Sequence, residues 1–139
     1  MRVLPDTNVW IAWLRAGTAD LDVAEGGRLG VFLSTIALQE LWAGARSRGV
    51  ASVLSQLMDL AREHGRLLNP PAAAWIVSGQ VLREISATRR IGGPRLRALR
   101  NDVLLAATAV SYDATVLTSN VQDFKLVARF LDVRYRAPV

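Results

Sequence analysis

Short runs of continuously apolar residues alternate with longer helical stretches along this chain of 139 residues. Continuous apolar character is typical of strands that are buried on both faces, as in parallel sheets, whereas half-exposed strands alternate apolar with polar residues. The strand-helix alternation therefore predicts an α/β chain with a parallel sheet covered by helices on both faces. The predicted strands are Arg2 to Pro5, Gly30 to Leu33, Arg66 to Leu68, Thr115 to Leu117 and Asp132 to Tyr135.

Helices are predicted between these runs. Pro71 suits a first helical turn, and His64 followed by Gly65 is typical of a helix end. No internal repeat or long linker interrupts the pattern, and a hydrophobic share of 51% supports a substantial core, so one domain over residues 1–139 is expected. The predicted helices are Thr7 to Arg15, Leu21 to Gly26, Thr35 to Arg48, Ala51 to His64, Pro71 to Arg89, Leu96 to Tyr112 and Val121 to Phe130.

Composition excludes several kinds of protein. The chain has no cysteine, which removes disulfides, thiolate zinc sites and cysteine nucleophiles. No uncharged apolar run reaches the length of a membrane span, and Asp6 interrupts the first apolar run before a signal peptide could form. A cytoplasmic protein without membrane association is therefore expected.

Four acidic residues occupy unusual positions. Asp6 ends the first apolar run, Glu40 and Asp102 interrupt apolar helical stretches, and Asp123 opens a late helix. Residues three and four positions away share a helix face, and around Glu40 and Asp102 all of these are apolar or small. The corresponding neighbours of Asp59 are polar or charged, as on an ordinary solvated face. Carboxylates on apolar faces are costly unless something binds them.

The predicted topology brings these acids together. Asp6 follows the first strand and the turn from Thr118 to Asn120 follows the fourth, so neighbouring parallel strands would place both at the sheet edge where ligands bind. Glu40 and Asp102 could join them. Several carboxylates in apolar surroundings need protons or a cation, and oxygen-only ligands favour Mg²⁺ or Mn²⁺, as one ion or two. Such a site favours phosphodiester hydrolysis.

The net charge of +5 comes entirely from the second half of the chain. Residues 70–139 carry ten basic residues against five acidic ones, and six of the arginines surround Gly92-Gly93-Pro94. Guanidinium groups match phosphate geometry, so this cluster suits a polyanion. A solvated arginine face is the structural alternative. The candidates for phosphate contact are Arg89, Arg90, Arg95 and Arg97.

Four segments carry a family resemblance in order and spacing: Leu4-Pro5-Asp6-Thr7-Asn8-Val9, Ser34 to Leu41, Asn101 to Ala109, and Thr118 to Phe124. In them the chain resembles the PIN-domain ribonucleases, specifically the VapC toxins of type II (VapBC) toxin–antitoxin pairs. The resemblance implies a three-layer α/β/α sandwich with a central, mostly parallel sheet of about five strands. It also implies a Mg²⁺-dependent endoribonuclease, for which Mn²⁺ is a possible substitute.

Carried over by position, Asp6, Glu40 and Asp102 match the first three acids of the family, and Asp6 and Asp102 are the most direct metal ligands. The family places its fourth acid at either of two positions, occupied here by Asn120 and Asp123. Asp123 is therefore a further catalytic and metal-ligand candidate. Asn120 and Asp123 also suit a helix N-cap followed by an acid in the first turn, so both interpretations stay open.

Neighbouring polar residues have two interpretations as well. Asn8, Thr118 and Asn120 are candidates for supporting the site. Thr7 and Asn8 could either orient the site or cap the first helix, and capping is favoured.

The resemblance also implies partners. They are an RNA substrate (tRNA, rRNA or mRNA) whose backbone the arginine cluster would contact, and a VapB-type antitoxin. The C-terminal segment of such an antitoxin covers the toxin and can present a basic residue to the acidic cleft. A homodimer is expected too.

Three alternative interpretations compete with this one. Arg46, Arg95 or Arg97 could neutralise an acid in a structural ion-pair cluster without metal. A receiver-like phosphoacceptor domain would need paired acids after the first strand and a lysine after a late one, whereas the only lysine is Lys125 in the last helix. A PIN-like module that binds or processes RNA without a toxin role is the third alternative.

Overall fold

Four parallel strands form the central sheet of the computed structural model, which describes residues 1–18 and 30–138. Their order is β2 (Gly30–Val31), β1 (Arg2–Pro5), β5 (Ala114–Leu117) and β6 (Arg134–Arg136). β1 and β5 pair over their full lengths, and their central side chains are almost fully buried. The parallel sheet that the continuous apolar runs predicted is confirmed.

The strand predicted over Gly30 to Leu33 is divided in two. Phe32 N donates to Val3 O of β1. The next residue changes partner, because Leu33 N donates to Arg66 O and not to β1. After this change of partner, β3 (Leu33–Ser34) pairs in parallel with β4 (Leu67–Leu68) as a separate two-stranded sheet. The central sheet therefore has four strands within the described ranges, where about five were expected.

Six helices lie within the described residues, and none of these is long and apolar enough to cross a membrane. Ser47 caps the third helix by accepting from Val50 N at 3.2 Å, so this helix begins three residues before the predicted Ala51. The helix predicted over Leu21 to Gly26 lies outside the described residues. The observed helices are α1 (Thr7–Ala16), α2 (Thr35–Gly44), α3 (Arg48–Glu63), α4 (Ala72–Arg89), α5 (Gly93–Ser111) and α6 (Val121–Val127).

Two cores cover the two faces of the sheet. Leu4 and Val116 point into a core formed mainly with α4, α5 and α6. Val3 and Leu117 point the other way, into a core with α1, α2 and α3. Successive strand residues point to opposite faces, so this alternation produces the predicted three-layer α/β/α sandwich.

Backbone hydrogen bonds join the carboxyl ends of β1, β5 and β6. Asp6 N donates to Leu117 O at 2.7 Å, and Thr118 N donates to Arg136 O at 3.0 Å. The first residues after β1 and β5 therefore emerge side by side at the sheet edge where ligands bind in open α/β folds.

Candidate active site

Asp6 is a buried carboxylate held by three hydrogen bonds. It accepts from Thr7 N at 2.8 Å as the N-cap of α1, from Thr118 Oγ1 at 3.0 Å and from Asn8 Nδ2 at 3.1 Å. Its exposed fraction is 7%. Burial raises the pKa of Asp6, the three hydrogen bonds oppose this change, and the charge of Asp123 adds to it. The position of the carboxylate is therefore fixed, while its ionised form lacks a neutralising charge.

Asp102, on α5, is the electrostatic centre of the cleft. Burial is the main cause that raises its pKa from 3.8 to about 7, followed by the charges of Asp6, Asp123 and Glu40. Arg95 opposes the rise. The charges of Asp6, Asp123 and Glu40 are therefore near enough to Asp102 to disfavour its ionisation, and we call the region between these four acids the cleft. Because like charges in partly buried surroundings disfavour ionisation, a cation would favour the ionised form of Asp102.

Glu40 lies on the rim of this cleft. The expectation of a buried, costly carboxylate is wrong, because Ala43 and Gly44 on the same helix face are exposed and so is Glu40 itself. Small apolar residues near the end of α2 do not form a covered face. Glu40 Oε1 accepts from Thr7 Oγ1 at 3.1 Å, a contact between α2 and α1 that the sequence pattern did not reveal.

Asp123 and Asn120 act together at the fourth position. Asn120 Nδ2 donates to Asp123 Oδ2 at 2.6 Å, and Arg95 Nη2 donates to Asp123 Oδ1 at 2.6 Å. Asn120 is the N-cap residue of α6, but its side chain makes no capping hydrogen bond. Its amide is instead directed at the acid. Capping therefore does not account for the side chain of Asn120.

Thr118 and Asn8 connect the segment that follows β1 with the segment that follows β5. Thr118 Oγ1 donates to Asp6 and accepts from Asn120 N at 2.9 Å, and Asn8 Oδ1 accepts from Ser119 N at 3.1 Å. The prediction that Thr7 and Asn8 cap α1 is wrong, because Asp6 already occupies the N-cap. Both side chains contact acids of the cleft instead.

The arginine cluster divides into two parts. Arg95 binds Asp123, whereas the exposed Arg89, Arg90 and Arg97 form no ion pair with other described residues. Arg46 also lacks an acidic partner within these ranges, so Arg95 is the one candidate for a structural ion-pair cluster that is engaged. One guanidinium cannot neutralise four carboxylates, which leaves an excess of negative charge in the cleft.

The donor chemistry fits a hard divalent cation. Within residues 1–18 and 30–138 no three Asp, Glu, His or Cys side chains already surround a metal position. Asp6 and Asp102 nevertheless offer carboxylate oxygens that form no ion pair with other described residues, and Asp123 becomes available if Arg95 moves away. Asp6 and Asp102 are thus the residues that would hold an ion, with Asp123 as the third.

Removing Arg95 tests this arrangement. We expect Arg95→Ala to increase Mn²⁺ affinity about 1.4- to fivefold, because an exposed ion pair worth about 0.2–1 kcal/mol no longer competes for Asp123. Isothermal titration calorimetry measures the change. Arg134→Ala, which removes the exposed 2.7 Å pair with Asp113, is the matched control and should leave the affinity unaltered. Equal affinities in all three proteins would mean that Asp123 takes no part in metal binding.

The fold and the cleft define a class of α/β/α proteins with an oxygen-donor site at the carboxyl edge of a parallel sheet. The sequence model of the PIN domain matches residues 3–130, and the chain belongs to this family. The predicted family is thus confirmed. PIN domains are nucleases, so the chain is assigned to the hydrolases that act on nucleic acid, and the receiver-like alternative is wrong.

Solved structures with the same fold include three VapBC proteins. VapBC2 from Rickettsia felis, bound to a DNA fragment from its promoter, is 21% identical with a TM-score of 0.68, covering 99% of this chain and 98% of that chain. VapBC-1 from nontypeable Haemophilus influenzae is 18% identical (TM-score 0.67, 99% and 98% covered). VapBC-5 from Mycobacterium tuberculosis is 19% identical (TM-score 0.64, 98% and 98% covered). A search of curated proteins found no match.

Proposed function

We propose that the chain is a Mg²⁺-dependent endoribonuclease that hydrolyses RNA phosphodiester bonds as the toxin of a type II toxin–antitoxin pair. The single observation that carries the proposal is the partly buried Asp102 on α5 of a PIN-family fold, whose pKa is raised to about 7 mainly by burial and further by the charges of Asp6, Asp123 and Glu40. Such a cleft needs a cation before it can accept a phosphate. The similarity to VapBC structures supports the toxin role.

The side chains of the cleft have distinct roles in this mechanism. A bound Mg²⁺ or Mn²⁺ would polarise the phosphate and lower the pKa of water. Asp6 and Asp102 would hold the ion, and Thr118 and Asn8 keep the carboxylate of Asp6 in one orientation. Glu40 is exposed on the rim and oriented by Thr7, which suits it to accept a proton from the attacking water.

The arginines near the connection between α4 and α5 would bind the phosphates of the RNA backbone. Arg89, Arg90 and Arg97 are exposed and without an acidic partner in the described part of the chain. Guanidinium groups bind backbone phosphates with little regard to sequence, so these residues would add affinity and not specificity.

A groove between α1, α2 and α3 suits the antitoxin. It encloses about 430 Å³, and its lining combines the apolar Ile11, Val50 and Val53, which are all exposed, with the acidic Glu40. An amphipathic helix binds such grooves through its apolar face, and a basic side chain at its end would reach Glu40. A VapB-type antitoxin is accordingly the proposed occupant. The proposed homodimer rests on the family resemblance.

Cleavage of RNA by the purified chain tests the function. We expect cuts in a pool of tRNA and rRNA with Mg²⁺ or Mn²⁺, mapped on sequencing gels, and none with EDTA. Asp59→Asn alters an exposed acid on α3 and should cleave like the unsubstituted protein. Cleavage of single-stranded DNA alone would contradict the RNA specificity. RNA binding without any cleavage would favour the RNA-binding alternative.

A further inference from the structure

We propose that a cavity beside the acidic cleft binds one unpaired base of the RNA substrate, with the Trp75 ring as its stacking surface. This inference rests on the proposed ribonuclease function and adds how the enzyme would select its substrate. Unpaired bases are the parts of RNA that proteins read most specifically, and they are commonly stacked on aromatic side chains.

The cavity lies between α2, α4 and α5 and encloses about 560 Å³. This volume falls within the range of about 300–1,000 Å³ typical of small-ligand sites. Ile36, Leu82 and Leu104 provide apolar lining. The cavity therefore offers a flat organic ring a partly apolar environment.

The polar lining matches the chemistry of a nucleotide. Trp75 is 59% exposed although it is a large aromatic residue, so its ring is available for stacking. Gln39 and Asn101 offer amide donors and acceptors for a base edge, and Arg100 offers a cation for phosphate. The side chains of these three residues form no hydrogen bond or ion pair with any other residue that the structure describes.

The cavity adjoins the cleft through two helices. Gln39 immediately precedes Glu40 on α2, and Asn101 immediately precedes Asp102 on α5. Consecutive Cα atoms are about 3.8 Å apart, so each helix contributes one residue to the cavity and the next to the cleft. In the proposed complex, a nucleotide whose phosphate lies at the carboxylates would place its base against Trp75.

Charge favours RNA over a second copy of this chain as the occupant. The cavity contains an arginine without an ion pair and two amides without a hydrogen-bond partner among the described residues, and a nucleotide can bind these groups through its phosphate and its base edge. Most of its lining, on α4 and α5, also belongs to the half of the chain that carries all of the excess positive charge. These features are complementary to a nucleotide.

Gly79 provides a way to fill the cavity without disturbing its walls. It lies in the lining on α4, and a Cβ atom added there would meet no atom within 4 Å. Glycine is unfavourable inside a helix, so a larger residue improves the helix while it occupies the space of the base. Gly79→Leu is therefore a blocking variant that does not depend on removing Trp75.

Binding of a labelled oligonucleotide tests the proposal. The probe is a fluorescein-labelled, mixed-sequence single-stranded octaribonucleotide, bound to protein that also carries Asp102→Asn to prevent cleavage and followed by fluorescence anisotropy. We expect Trp75→Ala and Gly79→Leu each to weaken binding about tenfold, in line with the stacking of one base. Trp42→Ala is the matched control, since Trp42 is 36% exposed on α2 but does not line the cavity.

An abasic ribose-phosphate oligomer of the same length identifies the base as the bound group. We expect it to bind the Asp102→Asn protein about as weakly as the octaribonucleotide binds the Trp75→Ala variant, and its affinity should not change with Trp75→Ala. Equal affinity of the Trp75→Ala, Gly79→Leu and Trp42→Ala proteins for the octaribonucleotide would overturn the inference. Light scattering adds a separate readout: loss of a dimer in Trp75→Ala at unchanged RNA affinity would assign this face to a second copy instead.

The two proposals fail differently. Metal-dependent RNA cleavage combined with Trp75-independent binding would overturn the base site and leave the ribonuclease function standing. Absence of both RNA binding and RNA cleavage in the unsubstituted protein would overturn both.

Discussion

Asp102→Asn is expected to stabilise the metal-free protein at pH 8 while abolishing its cleavage of RNA. The pKa of Asp102 is about 7 in the folded protein, against 3.8 for an ordinary aspartate. Between these values the folded chain binds more protons at this site than the unfolded chain, so stability falls as pH rises from about 4 to about 7. Above pH 7 the full cost of the ionised carboxylate remains. Asparagine has a similar shape and no charge, and removes this cost.

The expected gain is about 2–4 kcal/mol in the free energy of unfolding at pH 8, and close to zero at pH 4. Urea unfolding in EDTA at the two pH values measures it. Asp59→Asn is the control, because Asp59 is exposed and its 3.9 Å contact with Arg62 contributes little. A gain for Asp102→Asn that is the same at both pH values would mean that ionisation of Asp102 is not its source.

Bound metal should reverse the order of stability of the unsubstituted protein and the Asp102→Asn variant. Ions that bind only the folded protein stabilise it by mass action, so saturating Mn²⁺ at pH 8 should raise the melting temperature of the unsubstituted protein. Asp102→Asn lacks one of the proposed ligands and should respond much less. This comparison separates an acid that serves a cation from an acid that is merely buried.

The three layers of this fold could be predicted from the sequence because helices cover both faces of the sheet. β1 and β5 are each mostly apolar on both faces, and the structure buries Val3, Leu4, Val116 and Leu117 between two cores. The separation of β2 from β3 could not be predicted in the same way. Residues on both sides of Phe32 are apolar, and the division arises from a change of hydrogen-bond partner from Val3 to Arg66.

The acids were predictable to different degrees. Asp6 and Asp102 lie where burial patterns indicated, and both have raised pKa values. The burial of Glu40 was predicted wrongly because small residues were counted as apolar surroundings without evidence that anything covers them. The pairing of Arg95 with Asp123 joins residues 28 positions apart on different helices, and no local spacing could have selected it over the other arginines.

Asp6→Ala is expected to lower kcat/KM for RNA by at least about a thousandfold without unfolding the chain. Metal-ion catalysis contributes several kcal/mol of transition-state stabilisation, and about 4 kcal/mol corresponds to a factor of one thousand. Loss of the N-cap of α1 costs about 0.5–2 kcal/mol, and this is partly offset because a buried carboxylate with a raised pKa is removed. Circular dichroism should therefore report a folded protein.

Thr118→Val allows the loss of the proposed ligand Asp6 to be compared with the loss of a residue that only positions it. Thr118 is fully buried and positions Asp6 through a 3.0 Å hydrogen bond, so removing its hydroxyl leaves the carboxylate in place but less well oriented. Loss of such a supporting contact typically costs about 10–100-fold in metal affinity or activity, and higher Mn²⁺ should restore part of the loss. Asp6→Ala should not be rescued by added metal. Full activity of Asp6→Ala, or an equal and irreversible loss in both variants, would contradict the assignment of Asp6 as the ligand and Thr118 as its support.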